Sequence, residues 1–459
     1  MKKYIVILVA LVSLSSCRKW LEVYPEGVQL EEEAIKSQDD MVKLLNSCYD
    51  AMANQYNGQV QLFNELLGDN LEKPQSGFVV PIYQRTTNFF NSDVGGLYLE
   101  LYRPVFRINF LIKTLQDKRI PVDAATESRL IAEGKFLRAM CHFDLVRLWA
   151  QPYGASADNS HLGIVIRKAP TTDPLPRSSV KEVYDFIIGD LNDAIANLPD
   201  NNGNYADKDA ARALLAKVYF QMNKFDKVKE LCDVVIPNYT MDTTLNRFVN
   251  ALTSSENIFS FVSSSTQDNR ASRFIGNFRI VNPSNPPAFR LSKSLYTEAT
   301  SDPTDKRAAQ YAVFNAGTST ETYGITKFNY DWLSVPMLYL TQLKLMRAEA
   351  NAKLGVDLPT AIKDVNDVLE RAFGSQVNNL PSGAGATQIV NEARKQRRLE
   401  FPIEGDRVQD LKRIGALEDP SGATFKIRNS PWNCPGLALQ FPVNERTSVF
   451  VFNEEGNCE

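Results

Sequence analysis

From Ala210 to Val235 the apolar residues recur three and four positions apart, and the pattern breaks once, at Asn223-Lys224. That period belongs to a helix with one buried face, so the stretch predicts two short amphipathic helices around a turn. A second pair of this kind begins at Met337, with its turn at Gly355-Val356-Asp357-Leu358-Pro359. Asp40 to Met52 with Tyr98 to Leu115, and Glu127 to Trp149 with Val180 to Leu198, predict two more. Between the pairs the pattern is lost. Thr253 to Trp332 is rich in Ser, Thr, Asn, Pro and aromatic residues, and shows helical period only near Ser292 to Ala299. It reads as long loops with occasional short strands. Asp69 to Gly96 has a similar character and carries Tyr83, Arg85, Phe89 and Phe90. The expected fold is mostly α, with helix pairs over about 40–235 and 337–415 and a loop-rich insert over about 253–332.

In the Ala210 stretch, Ala216, Tyr219, Phe225, Val228 and Cys232 fall where a tetratricopeptide repeat places its packing residues. Ala348, Gly355, Ala361 and Val365 take the corresponding places in the second pair, with one extra residue in its turn. A single pair cannot bury its own apolar face, so several must stack. Loops on such a rigid scaffold are where recognition usually resides.

The N-terminus carries a different signal. Lys2 and Lys3 precede an apolar stretch from Tyr4 to Leu14, too short to span a bilayer, and Leu14-Ser15-Ser16-Cys17 closes it. This resembles a lipoprotein signal, which implies removal of residues 1–16 and acylation of Cys17 by more than one chain, enough for stable attachment. Residues 17–459 are then expected to form one soluble domain held on a membrane without crossing it. With 459 residues, 44% of them hydrophobic and 23% charged, the chain can bury a large core. Without the signal it has 49 basic against 54 acidic residues, so no basic field draws nucleic acid.

Cys48, Cys141 and Cys232 sit in amphipathic stretches and read as small core residues. Cys434 and Cys458 lie in an irregular tail, where a disulfide is chemically allowed in an exported protein but its pairing is open. The only histidines are His142, inside a helix, and His161, in a polar loop. There is no His-Glu-x-x-His, no Gly-x-Ser-x-Gly and no phosphate loop, and no cofactor or metal is implied. A glycosidase needs only two carboxylates about 5 to 10 Å apart, so hydrolysis stays open as the weaker alternative.

Several motifs then carry a family resemblance. Cys17-Arg18-Lys19-Trp20-Leu21-Glu22-Val23-Tyr24-Pro25, with Leu45-Asn46-Ser47-Cys48-Tyr49-Asp50 after it, resembles the opening of SusD/RagB-type outer-membrane lipoproteins of Bacteroidota. Ala132-Glu133-Gly134-Lys135-Phe136-Leu137-Arg138-Ala139, running on to Trp149, is similar to that family's most recognisable helix. Leu345-Met346-Arg347-Ala348-Glu349-Ala350 and Gln396-Arg397-Arg398-Leu399-Glu400-Phe401-Pro402-Ile403-Glu404-Gly405-Asp406-Arg407 follow in the family's order, and the match extends to Phe441-Pro442-Val443-Asn444-Glu445. The resemblance implies a surface-exposed binding protein, not an enzyme. It would cap a SusC-type TonB-dependent transporter and deliver oligosaccharides, or in some branches peptides. It also implies a helical body of four tetratricopeptide-like pairs with the ligand held by intervening loops. A scaffold lipoprotein would account for the repeats but not for the long aromatic loops.

Three features depart from the family pattern or invite another reading. Where the family has Pro-x-x-Arg-x-x-Glu, this chain has Pro336-Met337-Leu338-Tyr339-Leu340-Thr341-Gln342, so both charges are lost together, which avoids stranding one and predicts altered packing. Pro402 should end or kink its helix near Phe401. Arg397, Glu400, Glu404, Arg407 and Asp410 are spaced to pair along one helix face, a structural rather than a catalytic arrangement.

Sugar chemistry sets the criteria for a ligand site. A pyranose presents a C–H face that packs on an aromatic ring, and its hydroxyls need polar partners in place of water. Asn329-Tyr330-Asp331-Trp332 meets both needs in four residues, which makes Asn329, Tyr330 and Trp332 the expected contacts. Asp69, Asn70, Tyr83 and Arg85 supply similar groups in the first loop region, which the family also uses for ligand contacts. The alternative for Tyr330 and Trp332 is that they anchor their loop. Phe274, Phe278, Phe289 and Phe328 read as packing residues.

Overall fold

Six of the fourteen α-helices among the described residues begin where a side chain satisfies an otherwise orphaned backbone N–H, a device worth about 1 kcal/mol at each start. A computed structural model describes residues 35–456 and residue 458; the signal region, Cys17 and the motif through Pro25 lie outside the described residues. Helix α1 (Gln38–Ala53) opens with a reciprocal Ser37–Asp40 capping box. After α2 (Gln59–Leu67) and the short α3 (Val80–Gln84), Asn91 caps α4 (Ser92–Gln116) and Asp123 caps α5 (Ala124–Trp149). Ser179 and Glu182 box the start of α6 (Val180–Asn197), Asp207 caps α7 (Lys208–Gln221), and α8 (Phe225–Val235) follows a tight turn with Asn223 at φ 57°.

The insert holds strand β1 (Asn257–Phe261), helices α9 (Ser272–Phe278) and α10 (Lys293–Ala299), and strands β2 (Tyr311–Phe314) and β3 (Thr322–Ile325). Strand β4 (Val335–Tyr339) leads into α11 (Leu340–Leu354), α12 (Leu358–Phe373), α13 (Ala386–Glu400) and α14 (Arg407–Glu418). The hairpin of β5 (Lys426–Ile427) and β6 (Ser430–Pro431) follows. Helix α1 packs on α4, α5 on α6, α7 on α8 and α11 on α12, the four expected pairs, and they stack through α4 on α5, α6 on α7 and α8 on α11. The fold is mostly α. From Leu130 to Trp149, α5 is buried at nearly every position, so it forms the centre of the main core. A smaller apolar cluster joins α11, α12 and α13.

The segment around Met337 is strand, not helix: β4 pairs antiparallel with β1 and ties the insert to the fourth helix pair. Helix α2 has no counterpart in the periodicity, because eight of its nine residues are buried and no polar face marks it. Helix α13 ends at Glu400 with Phe401 as its C-cap, where Pro402 predicts the end.

The charges on either side of Pro402 pair differently from the expectation. They lie on two helices and the bend between them, and their main partners come from distant segments. Glu400 sits among Arg247 (2.9 Å), Arg307 (2.8 Å) and Arg371 (2.5 Å). Glu404 binds Arg247 (3.0 Å), Lys327 and the Tyr339 hydroxyl (2.8 Å). Arg407 pairs with Asp69, and Arg397 reaches Asp410 only across the bend. Tyr339 and Gln342, which replace the family's two charges, remain in this network as neutral donors, to Glu404 and to Asp406 (2.7 Å) respectively.

Candidate functional site

The loop Asn329–Leu333 is pinned at both ends. Phe328 is buried and stacks on Phe274 at 4.9 Å, and Leu333 is buried at the other end. Asn329 Oδ1 accepts from the Ile280 N–H (2.8 Å), and Asp331 pairs with Arg279 (2.9 Å). Asn269 donates to the Asp331 carbonyl and accepts from the Leu333 N–H, while Ser263 Oγ donates to the Leu333 carbonyl (2.7 Å). Anchoring is therefore done by Phe328, Leu333 and these bonds. Tyr330 and Trp332 stay 41% and 40% exposed, although a large aromatic residue is ordinarily well buried.

The segment that holds this loop also borders a cleft of about 390 Å³. Ser264, Asp268 and Arg270 line one side; Tyr49, Asp50 and Tyr205 face them. Arg270 bridges Asp50 (2.5 Å) and Asp268 (2.8 Å). Tyr205 is 41% exposed and meets Tyr49 edge-on at 5.0 Å. Exposed rings, carboxylates, a guanidinium and the Asn46 and Asn204 amides thus lie on adjoining segments, a combination able to stack sugar rings and bond their hydroxyls. Sequence reasoning missed Tyr205 and Arg270. The run Asn201-Asn202-Gly203-Asn204-Tyr205 has the same amide-plus-aromatic character as Asn329–Trp332 and was the available signal.

The other expected contacts lie elsewhere, and no hydrogen bond or ion pair joins them to the Asn329–Trp332 loop among the described residues. Asp69 forms a two-point pair with Arg407 (2.7 and 2.8 Å). Burial alone would raise its carboxyl, but Arg407 and Arg398 outweigh burial and hold it low. Asn70 is buried, donates to Glu65 (3.0 Å) and accepts from Arg398 (3.2 Å). Arg85 is buried, with its guanidinium on the Ile427 and Leu67 carbonyls. The Tyr83 ring lies under the Arg428 guanidinium at 3.8 Å. Asn70 and Arg85 thus hold the fold, and Tyr83 with Arg85 borders a separate cavity.

Both histidines and Glu400 are engaged in contacts within the fold. His142 is buried against the Arg138 carbonyl (2.8 Å), and burial pushes it down to about 4. His161 lies 2.8 Å from Ser156 Oγ, but the neighbouring Asp158 bonds the serine and not the imidazole, whose other nitrogen meets the Gln151 carbonyl. A relay needs the carboxylate on the imidazole. Burial would raise Glu400, yet Arg371, Arg307 and Arg247 hold it at about 2, too acidic to donate a proton near neutrality. Among the described residues no group of three or more His, Cys, Asp or Glu side chains converges as metal ligands would.

Stacked helix pairs carrying a solvent-open aromatic loop surface define a helical-repeat scaffold of the SusD type. A family model described as "Starch-binding associating with outer membrane" matches residues 19–220, and the SusD family model matches residues 293–440. The chain belongs to the SusD/RagB family. It is 26% identical to SusD-like protein P38 of Formosa agariphila, over 90% of this chain and 85% of that one. A SusD superfamily structure from Bacteroides thetaiotaomicron superposes with TM-score 0.77 at 19% identity, covering 91% of this chain and 99% of the other. A laminarin-binding SusD-like protein superposes with TM-score 0.70 at 21% identity, covering 92% and 100%. No described helix is long and apolar enough to cross a membrane.

Proposed function

We propose that the protein is a cell-surface lipoprotein that captures oligosaccharides on the Tyr330–Trp332 loop and the adjoining Arg270 cleft. It hands them to a SusC-type TonB-dependent transporter and performs no chemistry on them. The observation that carries this reading is the exposure of two rings on a loop that other residues anchor. The outer-membrane association of the matching family model and the laminarin bound by one structural neighbour support it. Cys17 would be the acylated anchor.

Incubating the purified protein with neutral oligosaccharides should give saturable binding with no shortened product. Product formation would make it a hydrolase, and binding of peptides in place of glycans would move it to the peptide-binding branch. Two further observations test delivery and anchoring. A TonB-dependent transporter should co-purify from gently solubilised membranes, and Cys17→Ser should release the chain or leave its signal uncleaved.

A further inference from the structure

Tyr83 and Arg85 border a cavity of about 410 Å³, within the range of small-molecule sites. Its walls also include Lys73, Arg428, Asn429 and Ser430. Three of these side chains are cationic, and no carboxylate joins them among the described lining residues. Asp69, whose charge acts on both arginines, is already committed to Arg407.

The cations are held in place by the backbone. Arg85 ends α3 at φ 61°, and Arg428 and Asn429 form the two-residue turn of the β5–β6 hairpin at φ 47° and 73°. A hairpin turn of this length favours positive φ at both positions. Arg428 Nη2 donates to the Leu66 and Tyr83 carbonyls (3.1 and 2.6 Å), while the buried Nε of both arginines has no partner among the described residues. Gly436 packs so closely on the Arg85 carbonyl that an added Cβ would lie 2.0 Å from it. The disulfide Cys434–Cys458 staples the tail at the rim, where Ser430 donates to the Cys458 carbonyl.

Two features distinguish this cavity from the aromatic loop. The guanidinium of Arg428 covers one face of Tyr83, so that face is closed to a sugar ring and recognition falls to charge. Positive charge also accumulates behind the wall. Burial, with Arg428 adding to it, lowers Arg85 to about 9, and burial with Arg85 and Arg147 lowers the enclosed Lys412 to about 7. Cations with no carboxylate among the described lining residues favour an anion in this partly enclosed space, and the remaining guanidinium N–H groups of Arg428 suit a charge-assisted bond to a carboxylate or sulfate oxygen.

We propose that this cavity is an anion subsite that takes the carboxylate or sulfate group of an acidic sugar residue, against Arg428 and Lys73 with the Asn429 amide beside them. The inference deepens the glycan-binding reading by naming the class of glycan, and it rests on that reading.

Calorimetry on the full mature chain at low salt tests it with a hexuronate disaccharide, a sulfated disaccharide and a neutral disaccharide of equal length. At least one acidic sugar should bind about ten-fold or more tightly than the neutral one, the scale of a charge-assisted bond, and weaken as salt rises. Whether carboxylate or sulfate is retained identifies the group. Arg428→Gln should abolish the preference. Because Arg428 also supports two carbonyls, the exposed Lys73→Ala is the second variant, expected to lower acidic-sugar affinity about three-fold with the fold intact. Equal affinity for acidic and neutral sugars, or a preference untouched by both variants, overturns the proposal. Glu459 follows Cys458 in the sequence, so binding that emerges only in Glu459→Gln would make the tail the occupant and overturn it as well. Failure of neutral oligosaccharides to respond to Trp332→Ala would instead count against the aromatic loop.

Discussion

The bend between α13 and α14 and the loop between β3 and β4 are both rich in polar side chains, and they use them oppositely. At the bend, Glu400, Glu404, Asp406 and Arg397 are buried or nearly so; the three carboxylates are bound by partners from other segments, and Arg397 pairs with Asp410 across the bend. In the loop, Asn329 and Asp331 are spent on fixing the backbone, and that leaves two rings free. The motif richest in charge serves the fold, while the segment with no periodicity presents the surface. A buried charge must be paired or it is costly, so dense charge inside a protein marks structure at least as often as chemistry.

The sharpest way to break this comparison is Glu400→Ala. It takes one of two carboxylate partners from each of the buried Arg247, Arg307 and Arg371, which keep Glu404, Asp305 and Glu256, so the expected loss lies toward the lower end of the about 3 to 5 kcal/mol typical of removing one member of a buried pair. Chemical denaturation should show that loss with an unchanged slope. A small effect would mean the network is far looser than its distances. The same network sets the acid response. Glu400 and Asp406 are both held near 2 against burial, Asp406 mainly by Lys217, Arg397 and Arg147. Their stabilisation is present above their unfolded values and is lost as pH falls from about 4.5 through about 2. Glu65 acts in the opposite sense: burial outweighs the Gly405 N–H and Asn70 bonds and lifts it to about 7, so its contribution fades as pH rises from about 4.5 through 7. Stability measured against pH should fall steeply on the acid side and gently toward neutrality.

The tail is the intermediate case, irregular like the loop but covalently fixed. Replacing Cys434 and Cys458 by Ser opens a bridge of sequence separation 24, with an expected loss of about 2 to 4 kcal/mol. The reduced chain should also lose acidic-sugar binding before it loses neutral binding, since Cys458 lines the cationic cavity and neither cysteine lines the Arg270 cleft. Next in size is Trp332→Ala, which should weaken oligosaccharide binding by about 1 to 3 kcal/mol with the melting temperature little changed, because the ring is large but not an anchor. A collapse in melting temperature with affinity intact would make Trp332 a packing residue and move the ligand site to the Arg270 cleft.

Much of the helical body was legible because its pairs keep a 3.6-residue period and their turns carry Gly, Asn or Pro. Helix α2 was not, since a segment buried on almost every side has no polar face to read. The spacing of Arg397 to Asp410 suggested pairs along one face, but spacing is silent on a chain that reverses after Pro402 and meets Arg247, Lys327 and Asp69 instead. The exposed rings of Tyr330 and Trp332 were nameable from local composition. The Arg270 cleft was not, because Tyr49, Tyr205 and Arg270 are brought together only by packing of α1 against the loop before α7 and against the insert.

The smallest expected effect tests whether the loop owes its shape to charge at all. Asp331 pairs with Arg279 at 2.9 Å, but its side chain is 73% exposed, and pairs in such surroundings contribute about 0 to 1 kcal/mol. The loop backbone has better anchors in Ser263, Asn269 and the buried Phe328 and Leu333. Asp331→Ala should therefore leave the melting temperature within about 1 °C, given that a whole kcal/mol moves a domain of this size by only a few degrees. Affinity for a neutral oligosaccharide should fall less than for Trp332→Ala, and the difference between the two variants should not change with salt. If Asp331→Ala matched the loss at Trp332, the carboxylate itself would be a sugar contact, a use of charge that the bend, whose charges serve the fold, does not make.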